Sequence, residues 1–150
     1  MEEESPKLAK PPGRIIVAED LNINLEILTF FMNELGIREY CDFCTNGQLA
    51  IDKVKSLVDN ALETGETDRP ICLMLLDMEM PQKNGMQVVD EVREYYQLQC
   101  LRRELKEPEF VFVTAFKSQH FASYLEKLNI TQFYEKPMMQ EQLKSIIEQL

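Results

Sequence analysis

Five polar side chains that could do chemistry follow apolar stretches of the sequence, namely Glu19, Asp20, Asp77, Thr114 and Lys136. The clearest case is Asp77, which comes directly after the apolar residues 71–76. A run of this length is too short to cross a membrane and is typical of a strand buried on both faces of a parallel sheet. If all five side chains stand at the ends of such strands, they meet at the carboxyl edge of one sheet. Open α/β sheets bind their ligands at that edge.

The chemical types of these side chains favour phosphoryl chemistry. Carboxylates held close together repel one another, so either their pKa values rise or a cation lies among them. Oxygen ligands without histidine or cysteine favour Mg²⁺, which keeps several waters and accepts phosphate oxygens. The Lys136 ammonium and the Thr114 hydroxyl can both bind phosphate oxygens. Together these groups suit the transfer of a phosphoryl group onto a carboxylate, and Asp77 is the acceptor that we expect.

Strands and helices alternate along the chain. Apolar runs and turn signals predict five strands, at 14–18, 40–44, 71–77, 110–113 and 131–134. Helical spacing predicts five helices, over 22–35, over 47–62, from 85 onward, over 117–128 and through 143–150. The third helix either continues to about residue 104 or gives way to a loop, and the sequence does not decide between these. The alternation indicates a doubly wound α/β fold, with a parallel sheet between two layers of helices.

The first predicted helix is rich in apolar residues, so the face that it buries has to be predicted separately. We expect Ile23, Ile27, Phe30 and Phe31 to face the sheet, because they share one side of a helix.

Length, charge and composition limit the class of protein. The 150 residues suit one domain, which we place at 14–150 after a disordered leader at 1–13. The net charge of −10 argues against direct binding to nucleic acid or to a membrane surface. No apolar run approaches the roughly 20 residues of a membrane helix, and the N-terminus lacks the apolar core of a signal peptide. We therefore expect a cytoplasmic protein.

The cysteines are expected to be free thiols. In a reducing compartment, Cys41, Cys44, Cys72 and Cys100 would pack as small apolar side chains. Cys41 and Cys44 are three residues apart on a predicted strand, so they should face opposite sides of the sheet. That spacing, without a second pair, rules out a metal or redox site at these two residues.

In these motifs the chain resembles the receiver domains of the two-component response-regulator family. The resemblance covers about residues 14–150 and is carried by the acidic pair Glu19-Asp20, the stretch Asp77-Met-Glu-Met-Pro81 with Gly85, the pair Thr114-Ala115, and Lys136-Pro137. It implies a flavodoxin-like sheet with strand order 2-1-3-4-5, and a signalling switch that is no metabolic enzyme but assists its own phosphorylation. The position of Asn24, four residues after Asp20, is a point of resemblance to the receivers of hybrid histidine kinases.

The resemblance also implies a role for each residue of the site. Asp77 would accept a phosphoryl group from a phosphohistidine on a sensor or hybrid histidine kinase or on a histidine phosphotransfer protein. Mg²⁺ would be held by Glu19, Asp20, Asp77 and the main-chain carbonyl of Glu79. Lys136 would pair with the phosphoryl group.

Two further residues would transmit the signal. Thr114 would hydrogen-bond to the phosphoryl group, and Phe133 would turn inward as the switch aromatic, remodelling the surface of the last two helices and the fifth strand. The Lys136–Pro137 peptide would be cis. The donor would dock on the first helix and on Pro137-Met138. A dimer that forms on phosphorylation is a further possibility.

Three other interpretations compete with a phosphorylated receiver. A phosphatase with a nucleophilic aspartate would want a second aspartate two residues on, where this chain has Glu79. A flavin-binding domain of the same topology would need a phosphate-binding loop after the first strand, where the acidic pair would repel phosphate. A degenerate receiver that binds partners without being phosphorylated remains the alternative.

Overall fold

The fold is a five-stranded parallel sheet with the strand order β2-β1-β3-β4-β5. The computed structural model describes residues 7–99, 101–115, 123, 125–127, 129–130 and 132–150. The strands are β1 (Arg14–Ala18), β2 (Cys41–Cys44), β3 (Ile71–Asp77), β4 (Glu109–Thr114) and β5 (Phe133–Glu135). The helices are α1 (Asn22–Glu34), α2 (Gly47–Thr64), α3 (Gly85–Gln99) and a C-terminal helix (Gln140–Glu148), and a 3-10 turn covers Arg38–Tyr40. The predicted flavodoxin-like α/β fold, with this strand order, is confirmed.

Two apolar layers cover the sheet. One layer contains the buried faces of α2 and α3, and the other those of α1 and the C-terminal helix. Every residue of β3 is buried, as expected for a central parallel strand. Cys41 and Cys44 belong to opposite layers, which confirms that this pair cannot share a ligand. Both are free thiols, as is Cys72, whereas Cys100 lies outside the described residues.

Most predicted element boundaries shift by only a few residues. The open question about α3 is resolved, since this helix ends at Gln99 and the chain then leaves it through a turn. β5 covers Phe133–Glu135 instead of 131–134, so it begins later than predicted. Of the predicted helix at 117–128, residues 123 and 125–127 are helical and the others lie outside the described residues.

The predicted buried face of α1 is wrong. Leu28 and Met32 are the buried residues of this helix, whereas Ile23 and Phe30 are 61% and 58% exposed. The helix carries two apolar stripes, and the sheet covers the one that continues into the buried Leu35 at its end. Periodicity alone could not choose between two apolar faces of one helix. Of the stripe assigned to the core, Ile23, Ile27 and Phe30 therefore lie at the surface, whereas Phe31 is half-buried and packs against this core layer.

The loop after β3 is fixed at its far end by the start of α3. The Asn84 and Gln87 side chains each accept a hydrogen bond from the other's main-chain N–H, both at 2.9 Å. Gly85 has no room for a side chain, since an added Cβ would lie 2.7 Å from the Asp77 carbonyl oxygen and 2.5 Å from the Phe112 ring. The chain therefore enters α3 directly beneath Asp77.

The segment before β1 contacts the domain from residue 7 onward. The Leu8 N–H donates to the Leu35 carbonyl at 2.9 Å, and the Leu8 side chain packs against the α1 side of the core. The Lys10 ammonium lies 5.9 Å from the centre of the Tyr40 ring. Residues 1–6 of the predicted disordered leader lie outside the described residues, so its disorder stays a prediction.

Candidate functional site

All five candidate side chains stand at the carboxyl ends of strands. Glu19 and Asp20 follow β1, Asp77 ends β3, Thr114 ends β4, and Lys136 follows β5. The strands are parallel, so these ends lie along one edge of the sheet. Glu19, Asp77 and Thr114 are 3%, 7% and 4% exposed, which makes them the buried polar residues among those that the structure describes.

The Lys136 ammonium bridges two of the carboxylates. Its Nζ atom lies 3.0 Å from Asp77 Oδ2 and 2.8 Å from Glu19 Oε2. Backbone pairing holds the lysine in place, because the Lys136 N–H donates to the Thr114 carbonyl at 2.8 Å. The Lys136–Pro137 peptide is cis, as expected from the resemblance. The structure thus brings together an amine and two acids from three separate strands.

Glu19 is held on its other oxygen by α1. Its Oε1 atom accepts hydrogen bonds from the Leu21 main-chain N–H at 3.1 Å and from Asn24 Nδ2 at 3.3 Å. Asn24 was not among the site residues expected from the sequence. A polar residue placed one helical turn after an acidic pair was the available signal, because that spacing turns its side chain back toward the pair.

The acidic residues form a group that could hold a metal ion. One carboxylate oxygen from each of Glu19, Asp20 and Asp77 lies within 4.8 Å of the other two, and Asp20 is the most open to solvent. Asp77 Oδ1 also accepts from the Glu79 N–H at 3.2 Å, which places the start of the next loop at the cleft. Carboxylate ligands facing an open cleft suit a hard divalent cation that keeps several waters. These residues therefore fit Mg²⁺.

Burial and charge shift the acid–base behaviour of the central pair. Burial is the largest influence on the pKa of Asp77 and raises it, and the Glu19 charge acts in the same direction. The hydrogen bond from Lys136 opposes both, and the resulting pKa of Asp77 is raised to about 6. For Lys136 burial lowers the pKa, but the hydrogen bonds to Glu19 and Asp77 outweigh it, so the pKa of Lys136 is raised. Lys136 therefore stays positively charged and pairs with the neighbouring carboxylates of Asp77 and Glu19.

The two residues expected to act as the switch lie on neighbouring strands. Thr114 lines the same cleft as Asp20, Asp77 and Lys136. Phe133 is half-buried at the start of β5, paired in register with Phe112 of β4, and packs against the core layer of α2 and α3. Phe133 is thus a packed aromatic close to the strand end that carries Thr114.

The site and the fold both define a known class of protein. The family model described as "Response regulator receiver domain" matches residues 15–148, and the chain therefore belongs to this family. It is a receiver domain of two-component or phosphorelay signalling. The members of this family are signalling switches and not classical enzymes.

Of the curated relatives that match in sequence, two cover most of this chain. Two-component response regulator 24 of Arabidopsis thaliana is 30% identical over 148 residues, which cover 99% of this chain and 91% of the relative. Histidine protein kinase 1 of Candida albicans is 25% identical over 136 residues, which cover 91% of this chain. The chain spans only 5% of that kinase's length.

Solved structures of receiver domains share the fold. The receiver domain of the Arabidopsis thaliana histidine kinase CKI1, complexed with Mg²⁺, has a TM-score of 0.76 and 19% identity, and the match covers 97% of this chain and 94% of that chain. The receiver domain of Ssk1 from Saccharomyces cerevisiae, crystallised with the histidine phosphotransfer protein Ypd1, has a TM-score of 0.71 and 22% identity. That match covers 93% of this chain and 89% of the other. No described helix of this chain has the length and apolar character that a membrane span requires.

Proposed function

We propose that this receiver accepts a phosphoryl group on Asp77 from a phosphohistidine of a partner protein. A carboxylate oxygen of Asp77 forms a bond to phosphorus as the phosphorus–nitrogen bond of the donor breaks, and the released imidazole takes up a proton from solvent. The observation that carries this proposal is the Lys136 ammonium at 3.0 Å from the buried Asp77 carboxylate, with Asp20 and Glu19 beside it. An amine in this position can stay with the transferred group and neutralise its charge.

Mg²⁺ is the cofactor of this proposal. Glu19, Asp20 and Asp77 would hold it together with the main-chain carbonyl of Glu79, and when bound it would neutralise charge on the phosphoryl oxygens. The Thr114 hydroxyl would donate to one of those oxygens from the end of β4. The cleft that these residues line is open, so a donor side chain can reach Asp77 from solvent.

The test is labelling of the purified protein with acetyl phosphate and Mg²⁺, read by intact mass. We expect one phosphoryl group on the wild type and none on Asp77→Asn. Asp52→Asn is the matched control, because this exposed aspartate on α2 lies away from the cleft, and it should label normally. Equal labelling of wild type and Asp77→Asn would refute the site. No labelling of any variant would favour the alternative, a receiver that binds partners without being phosphorylated.

The exposed stripe of α1 suits the docking of the donor. Leu21, Ile23, Ile27 and Phe30 are 53%, 61%, 36% and 58% exposed. Met138, which was expected at this surface, is instead 4% exposed and packs in the core layer of α1, whereas its neighbour Met139 is 58% exposed. Apolar side chains clustered at a surface are typical of protein interfaces. We infer that a histidine phosphotransfer protein or a kinase domain covers them, as Ypd1 is crystallised with the Ssk1 receiver.

This docking surface can be tested separately from the chemistry. Ile23→Asp and Phe30→Asp should slow transfer from phosphorylated Ypd1 while acetyl phosphate still labels Asp77, because a small donor needs no docking surface. Asn33→Asp adds the same single negative charge at an exposed position of the same helix, and so it controls for altered charge. Unchanged transfer rates in both apolar variants would remove α1 from the interface.

We further propose that phosphorylation acts through Thr114 and Phe133 on the surface of β5 and the C-terminal helix. Movement of Thr114 toward the phosphoryl group would open space that the Phe133 ring fills. Hydrogen exchange of β5 before and after phosphorylation tests this, and unchanged protection would refute it. Size-exclusion chromatography of the same samples tests a phosphorylation-dependent dimer. A cytoplasmic location completes the proposal.

A further inference from the structure

The Glu19 carboxylate is fixed at both of its oxygens. Oε2 pairs with Lys136 at 2.8 Å, and Oε1 accepts from the Leu21 N–H at 3.1 Å and from Asn24 Nδ2 at 3.3 Å. The residue is 3% exposed, so water cannot replace a lost donor freely. The orientation of this carboxylate is therefore set by protein groups.

The start of α1 explains why Asn24 is available for this contact. Leu21 occupies the N-cap position and offers no side-chain cap, and among the described residues the first turn carries no acid. Asn24 stands at the third helical position, where a capping box would have a side chain that accepts the N-cap N–H. Here Glu19 accepts that N–H instead, and Asn24 donates its amide to the same oxygen.

We propose that Asn24 is a positioning residue for the metal site, acting through Glu19. Its amide keeps Oε1 directed at the helix, which leaves Oε2 toward Lys136 and the other acids. This inference rests on the proposed function, in which Glu19 is one of the Mg²⁺ ligands. Without the amide, the Glu19 side chain gains rotational freedom that the ion must remove when it binds. Groups that hydrogen-bond to metal ligands typically contribute tenfold or more to metal affinity.

The first experiment measures Mg²⁺ binding without any reaction. The thermal unfolding midpoint is followed as a function of Mg²⁺ for the wild type, Asn24→Ala and Asn24→Gln, with Asn33→Ala as the matched control. Asn33 is an exposed asparagine at the far end of the same helix. We expect the half-saturating Mg²⁺ concentration to rise about tenfold in Asn24→Ala and to stay within about twofold in Asn33→Ala. Asn24→Gln keeps an amide donor and should fall between them.

The second experiment separates positioning from a general loss of structure. Labelling by acetyl phosphate is measured over a range of Mg²⁺ concentrations for the same variants. In Asn24→Ala the half-saturating Mg²⁺ should rise about tenfold, while the rate at saturating Mg²⁺ stays within about twofold of the wild type. A residue that only supported the fold would lower the saturating rate and leave the Mg²⁺ dependence unchanged.

The outcomes distinguish this inference from the proposed function. If the wild type responds to Mg²⁺ and Asn24→Ala binds it equally or more tightly, the role of Asn24 is overturned and the proposed function stands. If the wild type neither binds Mg²⁺ nor labels, both are overturned. If Asn24→Ala does not fold, the folded Asn24→Gln variant provides the test, because its longer side chain displaces the amide. A Mg²⁺ dependence identical to that of the wild type in Asn24→Gln would then count against precise positioning by Asn24.

Discussion

Asp77→Asn should stabilise the metal-free protein at neutral pH, although it removes the acceptor of the phosphoryl group. In the folded protein, burial raises the pKa of Asp77 from 3.8 to about 6. A raised carboxyl pKa means that the ionised form is less favourable in the folded chain than in the unfolded chain. Asparagine carries no charge and so avoids that penalty at every pH.

The size of the effect follows from the pKa difference. Each pKa unit corresponds to about 1.4 kcal/mol, so ionised Asp77 costs on the order of 2–3 kcal/mol of unfolding free energy above pH 6. This value already includes the attraction between Lys136 and ionised Asp77. In the variant, Lys136 still has Glu19 as a partner at 2.8 Å. For a domain of this size the gain corresponds to roughly 5–10 °C in the unfolding midpoint.

The sign of the pH dependence is fixed by the same difference. The favourable contribution of protonated Asp77 is fully present below its ordinary pKa of 3.8 and is lost as the pH rises through about 6. The variant should therefore match the wild type near about pH 4 and exceed it near about pH 8.

The assay is urea unfolding in the presence of a chelator at several pH values. Asp42→Asn is the control with the opposite sign, because Asp42 is a partly buried acid paired with Arg14 at 3.0 Å. Removing Asp42 should lower stability by about 1 kcal/mol at neutral pH. Two results would contradict a raised pKa of Asp77 in the folded protein: a loss of stability in Asp77→Asn like that of Asp42→Asn, or a gain that does not change with pH.

Three further substitutions probe other parts of the structure. Gly85→Ala should lower the unfolding free energy by about 1–3 kcal/mol, because its Cβ would meet the Phe112 ring at 2.5 Å, and an unchanged urea midpoint would contradict this. Lys136→Met should slow labelling by acetyl phosphate at least about tenfold, since the charge that neutralises the phosphoryl group is lost, and wild-type rates would argue against that role. Leu8→Asp should lower the unfolding midpoint in a thermal melt, because Leu8 packs against the core layer of α1. A midpoint equal to that of wild type would instead indicate that the segment before β1 does not pack stably against the domain.

Local sequence patterns alone were sufficient to predict the site residues at the strand ends, namely Glu19, Asp20, Asp77, Thr114 and Lys136, but not the contact of Asn24 with Glu19. Strand ends are marked locally, because a buried parallel strand is a continuous apolar run and the first polar residue after it shows where burial stops. That rule located Asp77 and Thr114 in the sequence, and alternation with helices then implied a common edge. The β5 boundary was less certain, since a short strand has little pattern to read.

Contacts between distant segments determine which face of α1 is buried and what holds Glu19. Both stripes of the helix are apolar, and the choice depends on which one continues into neighbouring elements of the core. The Lys136 bridge between Glu19 and Asp77 joins three strands that are far apart in sequence. Such contacts depend on distances and side-chain directions across the fold, which local patterns of residue type do not contain.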